Sequence, residues 1–408
     1  MYSNKSYFAY VDSIEHTQEG IFVRFDAILI DSLERLHQAD TFETRAEQLE
    51  PVILEAHDPS KNTQNLRVDH WCRFNIATKS SFGSLAAQLY RSPSDAENIE
   101  EVFIENIEHL DGRGRVSRSL RQLVSLDGLQ DATQDTIEAL LNRQISNQED
   151  NYLAIYNVGQ GACSAVLTDS LQPVLYFDLG GGCGRNAGTY PVDFKPCFTL
   201  NPPVVLSHWD MDHWISGDRH QSAECLAWIV PRQALGPSHM RFARKLHSHG
   251  SLNIWPKNLT SLITPFGQIH KLPNASDRNN SGLVFVAKVG LHNNKIHVLC
   301  PGDARYFKLL PQISLPQSLS GLIATHHGGL YRRDIPPLAN TKSNYIAYSY
   351  GQGNSYGHPH HQTVNKHQNA GWTTRRDSIN GNQTIPSLAT LPEMPPCGTS
   401  RCSLSIVQ

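Results

Sequence analysis

The stretch that organises this sequence is Val204-Val205-Leu206-Ser207-His208-Trp209-Asp210-Met211-Asp212-His213. Three apolar residues lead into four possible metal ligands within six positions, which predicts a buried strand with a site at its carboxyl end. Alternate side chains of an extended segment share one face, so His208, Asp210 and Asp212 are expected to point the same way. His213 breaks the alternation, as it would if a helix began there and turned the imidazole toward the same pocket.

We interpret these four residues as half of a two-metal hydrolase centre. Imidazole and carboxylate ligands together suit Zn²⁺, Mn²⁺ or Fe²⁺, and the high share of carboxylates favours a harder ion than histidines alone would. The ordinary alternative is a solvated loop, because a chain with 20 histidines contains some His and Asp clusters by chance. Their position at the tip of an apolar strand favours metal binding.

Composition limits the other functional classes. The 408 residues are 39% hydrophobic and 18% charged, which is typical of a globular protein with more than one structural unit. A net charge of -3 gives no overall attraction to polyanions, so nucleic-acid binding would need a local basic patch. The first residues lack the apolar core of a signal peptide, and no run could span a membrane. We therefore expect a cytoplasmic protein with no membrane insertion and with reduced cysteines.

Residues 1–150 are predicted to form a mixed α+β accessory region of unknown role, with a possible protein partner. Residues 20–31 are rich in β-branched and aromatic residues and are predicted to form a strand. Helices are predicted over residues 33–49, after a capping box at Ser94–Glu97, and over residues 131–143. None of these segments carries recognisable catalytic chemistry.

Residues 151–408 are predicted to form a second domain in which several apolar strands end in ligand-bearing loops. The strands are residues 204–206 before His208, 296–300 before Asp303, 322–325 before His326-His327, and 345–350 before His358. Strand ends along one sheet edge lie close together, so the sequence predicts one composite site. A hairpin at 152–167, a strand at 174–178, a helix at 359–370 and a closing strand at 403–407 complete this prediction.

Five motifs of this second domain resemble, in the same order, those of one protein family. They are Asn157-Val158-Gly159-Gln160-Gly161, the cluster 208–213, Gly302-Asp303, His326-His327-Gly328 and Tyr356-Gly357-His358-Pro359. Together they resemble the metallo-β-lactamase superfamily, and within it the soluble hydrolase domain of the DNA-uptake channel protein ComEC. That branch also shares Asp210 in place of a second histidine, and an Asn279-Asn280-Ser281 motif before a strand. The channel's many membrane spans have no counterpart here, so DNA import is not implied.

The resemblance implies an α/β fold, a four-layer αββα sandwich, with two divalent ions, Zn²⁺ or Mn²⁺, at one edge. If each residue takes the role of the residue that it matches in that family, His208 and Asp210 would hold one ion, and Asp212 and His213 would hold the other. Asp303 would bridge the two ions, and His358 would complete the second site.

The family's middle histidine ligand has no clear equivalent in this sequence. His239, His247 and His249 lie in a predicted helical insert and are not assigned. The first ion would then depend on His326 or His327.

Catalytic roles are expected for Asp212, His326 and His327. One of the two histidines is either a ligand or a general acid that protonates the leaving oxygen, and the other forms hydrogen bonds around the ligands. His326 is the favoured ligand or acid. Asp178 closes a strand and is expected to hold the turn or to orient a ligand histidine.

Substrate contacts are the least specific part of the prediction. The candidate donors to a substrate are Asn280, Ser281, Asn354 and Tyr356. Each has an ordinary alternative in capping or lining a loop. The arginine pairs 332–333 and 375–376 either follow a phosphate backbone or form a solvated surface.

The favoured function is metal-dependent hydrolysis of phosphodiester bonds by a water that two metal ions activate, with nucleic acid as the substrate of a nuclease. The first alternative is a hydrolase of a small ester, lactone or cyclic nucleotide. The second is a regulatory or binding subunit whose metal site is incomplete, which the missing middle histidine would explain.

Overall fold

The computed structural model describes residues 5–17, 20–32, 50–58, 62–94, 97–142, 150–273, 277–291, 294–317, 319–330, 333–339 and 344–386. The chain divides into two compact units. The first, called the barrel unit, comprises Met1–Gln130, Cys183–Ala187 and Gln233–Gly250. The second, called the two-sheet unit, comprises Asp131–Gly182, Gly188–Arg232 and Ser251–Gln408.

The described elements are mostly strands. In chain order they are β1 (Lys5–His16), β2 (Ile21–Leu29), β3 (Val52–Asp58), β4 (Trp71–Ala77), β5 (Leu85–Tyr90), β6 (Ile99–His109), β7 (Tyr152–Ile155), β8 (Cys163–Leu167), β9 (Pro173–Leu179), β10 (Val204–Val205), β11 (Trp228–Val230), β12 (Leu252–Ile254), β13 (Ser261–Thr264), β14 (Gly267–Lys271), β15 (Leu283–Leu291), β16 (Asn294–Cys300), β17 (Leu319–Ile323), β18 (Tyr345–Tyr348), β19 (Thr374–Asp377) and β20 (Gln383–Ile385). The α-helices are α1 (Arg115–Leu123), α2 (Gln134–Leu141), α3 (Met211–Arg219), α4 (Pro237–Ser248), α5 (Tyr306–Leu309) and α6 (His361–Asn369).

The barrel unit is built on six antiparallel strands that close in the order β1-β2-β3-β5-β6-β4. Alternate side chains point inward and form one apolar core, which includes Phe25, Leu54, Phe74 and Leu89. Helix α4 is tied to the barrel by Asp26, whose carboxylate accepts hydrogen bonds from the Ser238 backbone N–H and hydroxyl at 2.7 and 2.9 Å. This contact joins strand and helix segments that are far apart in the sequence.

One predicted helix of this region is wrong. The residues after the Ser94–Glu97 capping box form strand β6, in which Val102 and Ile104 alternate inward and the backbone pairs with β4 and β5. The cross-strand hydrogen bonds come from residues that are distant in sequence, and these outweigh the local helix signal. The strand predicted over residues 20–31 is confirmed as β2. The helix predicted over residues 33–49 lies outside the described residues.

The two-sheet unit contains two seven-stranded mixed sheets. Their orders are β12-β11-β10-β9-β8-β7-β20 and β13-β14-β15-β16-β17-β18-β19. One apolar core draws on both sheets, and the rings of Phe177 and Phe285 lie 5.8 Å apart within it. The predicted helix at 131–143 is confirmed as α2, although the side chain of Thr133 caps it and Asp131 pairs with Arg232 instead. The strand predicted over residues 403–407 lies outside the described residues.

The predicted fold class is wrong. An α/β four-layer αββα sandwich preceded by an α+β region was expected, whereas the described residues are mostly β, with 35% strand against 23% helix, and contain a closed antiparallel barrel. The reason lies in the pairing of segments. Apolar stretches that are compatible with a helix by local pattern become strands where a neighbouring strand satisfies their backbone groups. In the part of the chain that the structure describes, no helix has the length and apolar character needed to cross a bilayer.

A buried histidine makes the two-sheet unit sensitive to acid. His367 on α6 is hydrogen-bonded through its two ring nitrogens to the hydroxyls of Tyr306 and Tyr348, each at 2.9 Å. Burial, followed by the charge of Lys366, lowers the pKa of His367 from 6.5 to about 4. The unfolded chain therefore binds this proton at a higher pH than the folded one, and stability falls as the pH drops from 6.5 toward 4.

We expect this single group to remove about 2 kcal/mol of unfolding free energy between pH 7 and pH 5. Denaturant unfolding at the two pH values, on the wild type and on His367→Gln, measures the effect. We expect His367→Gln to be less stable than the wild type at pH 7, but to lose less unfolding free energy than the wild type between pH 7 and pH 5. An equal loss in both proteins would contradict the assignment.

Candidate metal centre

The carboxyl ends of neighbouring parallel strands bring the predicted ligands together in the two-sheet unit. Strand β10 lies parallel to β9, with Val205 opposite Phe177, which brings Asp178 near the end of β9 beside Ser207, the residue before His208. Strands β16, β17 and β18 are likewise parallel, and they lead to Asp303, to the pair 326–327 and to Ser349. Helix α3 begins at Met211 directly after Asp210, and this turns His213 back toward the same place.

Asp303 lies at the centre of the cluster. Its Oδ1 is 3.2 Å from Nε2 of His213 and 3.9 Å from Nε2 of His327. Its Oδ2 is 3.0 Å from Nδ1 of His326 and 3.7 Å from Nε2 of His208. The two oxygens of one carboxylate thus face two different sets of imidazoles, which is the disposition that a bridging ligand requires.

Three buried imidazoles turn the same nitrogen toward this cluster. The Nε2 atoms of His208, His213 and His327 are buried without a hydrogen bond. Their Nδ1 atoms are engaged on the outer side: His327 donates to the Ser349 carbonyl at 2.9 Å, and His213 donates to Oδ2 of Asp178 at 2.9 Å. A proton on Nδ1 leaves the Nε2 lone pair unprotonated, which is the form of histidine that binds a metal.

Asp178 and Ser207 orient two of these imidazoles. The carboxylate of Asp178 accepts the backbone N–H of Ser207 at 2.6 Å and its hydroxyl at 2.8 Å. Because the hydroxyl hydrogen points to Asp178, the Ser207 oxygen accepts the Nδ1–H of His208 at 2.9 Å. The alternative that Asp178 orients ligand histidines is therefore favoured by the geometry, and Ser207 is a second orienting group that the sequence did not single out.

Backbone conformation at the cluster is unusual. Asp178, His326 and His327 are all non-glycine residues with positive φ, at 61°, 50° and 55°. Such conformations are costly and concentrate at functional sites. Close packing adds to this constraint, since a Cβ on Gly180 would lie 1.7 Å from the carbonyl oxygen of Asp212. Gly180 is thus required for the approach of α3.

The cluster strongly favours positive charge. Burial raises the pKa of Asp303, but the neighbouring imidazoles of His326, His213 and His327 lower it well below its usual value. Burial likewise raises the pKa of Asp212, but the neighbouring imidazoles of His327 and His213 together lower it below its usual value. Both carboxylates stay ionised at neutral pH, and cations are the ligands that such a buried negative cluster attracts.

Arg278 neutralises one of the acids. Its Nη2 lies 3.0 Å from Oδ1 of Asp210, and the guanidinium is almost fully buried. The other oxygen of Asp210 faces Nε2 of His208 at 3.4 Å, so this carboxylate still presents one oxygen to the cluster. Sequence reasoning missed Arg278, although it directly precedes the Asn279-Asn280-Ser281 motif.

His358 lies beside the cluster next to the two adjacent histidines. Its ring is 5.5 Å from the ring of His326 and 6.2 Å from that of His327. Its Nδ1 is 3.1 Å from the side-chain nitrogen of Gln160, a residue of the Asn157–Gly161 motif. His358 contributes to neither of the two ligand groups that centre on His213, and His327 stands beside Asp212 at 3.2 Å instead.

The histidines of the predicted insert are placed elsewhere. Helix α4 carries His239 and belongs to the barrel unit, where the Nε2 of His239 lies 2.6 Å from a carboxylate oxygen of Asp12. His249 is exposed, and its ring contacts the carbonyl of Lys245. His239 and His249 thus have their contacts within the barrel unit.

The predicted substrate residues are used within their own loops. The side-chain nitrogen of Asn280 donates to Asp277 at 2.7 Å, and its oxygen accepts the backbone N–H of Arg305 at 3.0 Å. The hydroxyl of Ser281 donates to the carbonyl of Asp277 at 2.9 Å. These contacts match the loop-capping alternative.

A similar arrangement holds the loop before His358. Asn354 accepts the backbone N–H groups of Tyr356 and His358 and donates to the carbonyl of His358 at 2.7 Å. The ring of Tyr356 lies 5.7 Å from that of His358 and is partly exposed. Asn354 and Tyr356 are both half-buried, and the contacts of Asn354 match the loop-lining alternative.

Of the predicted arginine pairs, one is engaged in the sheet. Arg375 binds Asp377 at 2.9 Å and lies over the ring of Tyr348, while Arg376 lies over Tyr345. Arg333 is exposed, and its predicted partner at 332 lies outside the described residues.

The donor set fits divalent cations. Within the described part of the two-sheet unit, two groups of side chains have their ligand atoms within 4.8 Å of one another, namely His208 with His213 and Asp303, and Asp212 with His213 and His327. Nitrogen and oxygen donors in this mixture suit Zn²⁺ or Mn²⁺. The inward Nε2 atoms have no hydrogen bond to lose on binding, so the residues fit the predicted cofactor.

Neither a scan against protein-family models nor a search of curated proteins returned a match for this chain.

Proposed function

We propose that this chain is a metal-dependent hydrolase of phosphodiester bonds and that nucleic acid is its substrate. The observation that carries the proposal is the set of three buried imidazoles whose Nε2 atoms face Asp303 and Asp212 without a hydrogen bond. A purely structural cluster would satisfy such buried nitrogens. The motif resemblance points to the same chemistry and stays a prediction.

Two divalent ions, Zn²⁺ or Mn²⁺, would be held by His208, Asp210, Asp212, His213 and His327, with Asp303 shared between them. Bound there, they would supply Lewis acidity and a water nucleophile at neutral pH. Phosphodiesters suit such a centre, because negative charge develops on several oxygens during an in-line displacement.

The protein's own residues would hold the ligands and move the proton. Asp178 and Ser207 keep the imidazoles of His208 and His213 in the ligand tautomer. His326 has 13% of its side chain exposed against 4% for His327, and its Nδ1 is held by Asp303 at 3.0 Å. We assign His326 as the general acid, because its outer edge is the one that a leaving oxygen can reach.

The cysteines support a proposal for the cell compartment. The six cysteines within the described residues are free, and five of these are buried. Free thiols are typical of a reducing compartment, so we infer that the protein acts in the cytoplasm.

The test is hydrolysis by purified protein loaded with Mn²⁺ or Zn²⁺, with EDTA-treated protein as the control. Single-stranded DNA, duplex DNA, RNA and bis(p-nitrophenyl) phosphate are the phosphodiester substrates, and a p-nitrophenyl ester and a lactone represent the alternative small-molecule hydrolase. We expect metal-dependent cleavage of nucleic acid and loss of activity in EDTA. Less than one bound ion per chain and no hydrolysis would contradict the proposal and favour a binding subunit.

A further inference from the structure

Helix α1 of the barrel unit carries an arginine surface that the metal centre does not use. Arg115, Arg118 and Arg121 recur every three residues, and all three are exposed. The same helix buries Ser117, Leu120 and Leu123 on its opposite side. Residues three and six positions apart fall within about 120° on a helix, so the arginines form one solvent-facing stripe.

These arginines lack the partners that other arginines of the chain have. Arg24, Arg91, Arg232 and Arg278 each form an ion pair with a carboxylate at 3.0 Å or less. Within the described ranges, no carboxylate pairs with the α1 arginines. Exposed, uncompensated guanidinium groups are available to an anionic partner.

Further basic residues extend the stripe at the end of the barrel. The guanidinium of Arg121 lies over Gly112, in the loop between β6 and α1, where an added Cβ would be 2.9 Å from its Nη2. Arg67 and His109 are also exposed, and their charges act on His70 together with that of Arg121. Burial, followed by the charges of Arg67 and Arg121, lowers the pKa of His70, as expected at a locally positive surface.

Two acids close to this surface in the sequence accept hydrogen bonds from neutral groups. Asp111 accepts the backbone N–H of Arg113 at 3.0 Å, and Asp69 accepts the hydroxyl of Tyr10 at 2.6 Å. A concentrated basic surface on a chain of net charge -3 is the local patch that a polyanion requires.

We propose that Arg115, Arg118 and Arg121, with Arg67 beside them, bind the phosphate backbone of nucleic acid. This inference rests on the proposed function in taking nucleic acid as the substrate class. Phosphate contacts through arginine carry little sequence information, so the surface would provide affinity for any sequence.

The test compares DNA binding by the full chain and by the triple variant Arg115→Ala, Arg118→Ala, Arg121→Ala. Binding of a labelled 20-base-pair duplex is measured by fluorescence anisotropy in EDTA over a range of salt concentrations. We expect the variant to bind at least about tenfold more weakly near 0.1 M salt. The slope of log K against log salt should fall by roughly two to three, which corresponds to three lost phosphate contacts.

The matched control removes three exposed positive charges elsewhere, through Lys257→Ala, Lys288→Ala and Lys308→Ala. Circular dichroism and thermal unfolding check that each variant is folded. Equal losses in the two triple variants, unchanged binding in the arginine variant, or binding of anionic vesicles but not of DNA would each overturn the inference. If the wild type binds DNA but does not cleave it in Mn²⁺, the inferred binding surface is supported and only the proposed hydrolase function is contradicted. The two can be separated because DNA binding is measured in EDTA, where no hydrolysis is needed.

Discussion

Alanine at Asp303 or at Asp212 is expected to lower kcat/KM for a phosphodiester by at least about a thousandfold, or roughly 4 kcal/mol of transition-state stabilisation. Asp303 presents its two oxygens to two sets of imidazoles, and Asp212 lies 3.2 Å from Nε2 of His327. Removing either carboxylate takes a candidate ligand from the cluster. It also removes negative charge that would offset the positive charge of a bound ion. Hydrolysis rates and bound metal per chain, measured on the same preparations, check the result.

Asp334→Ala is the matched control. Its carboxylate is also buried, but it accepts the backbone N–H groups of Tyr306 and Phe307, each at 2.9 Å, at the start of α5. This variant should lose stability through the lost cap while keeping its metal content. Full activity in both Asp303→Ala and Asp212→Ala would end the two-metal hypothesis.

Asparagine at Asp178 is expected to weaken metal binding and kcat/KM by about 10–100-fold, as is usual for a residue that orients a ligand histidine. The exchange keeps the shape of the side chain, and asparagine tolerates the positive φ of 61° at this position. What it removes is the charge that accepts the Nδ1–H of His213 at 2.9 Å, so the imidazole loses its preference for the tautomer with Nε2 inward. Metal titration by calorimetry measures the affinity directly.

Asp26→Asn provides the comparison. Asp26 accepts a serine backbone N–H and the hydroxyl of the same serine, Ser238, just as Asp178 does with Ser207. It lies in the barrel unit and should affect stability without changing metal affinity. Equal metal affinities in the wild type and Asp178→Asn would show that Asp178 only holds the turn.

The identity of the candidate ligands was accessible from sequence. The end of a strand can be predicted from the local sequence where an apolar run is followed by His208, Asp303 or His326. This works because the burial of a strand and the exposure of the following loop both depend on local composition. The grouping of these loops followed from the rule that neighbouring strand ends converge.

Other parts of the site depended on distant partners. His239 and His327 are both plausible ligands by residue type, but Asp12 engages the first and Asp212 faces the second. Arg278 is similar, since nothing in its own neighbourhood indicates a pairing with Asp210. A short motif cannot report a contact between segments that the motif does not include.

The sequence by itself determined which residues could bind a cation and which strands deliver them, because side-chain chemistry and local hydrophobicity are properties of each segment alone. Only the tertiary structure decided that residues 99–109 form a barrel strand and that Asp178 and Ser207 set the tautomers of His208 and His213. The physical reason is the same in both cases. A backbone N–H or an imidazole N–H takes the partner that folding brings to it, and that partner lies on another segment of the chain.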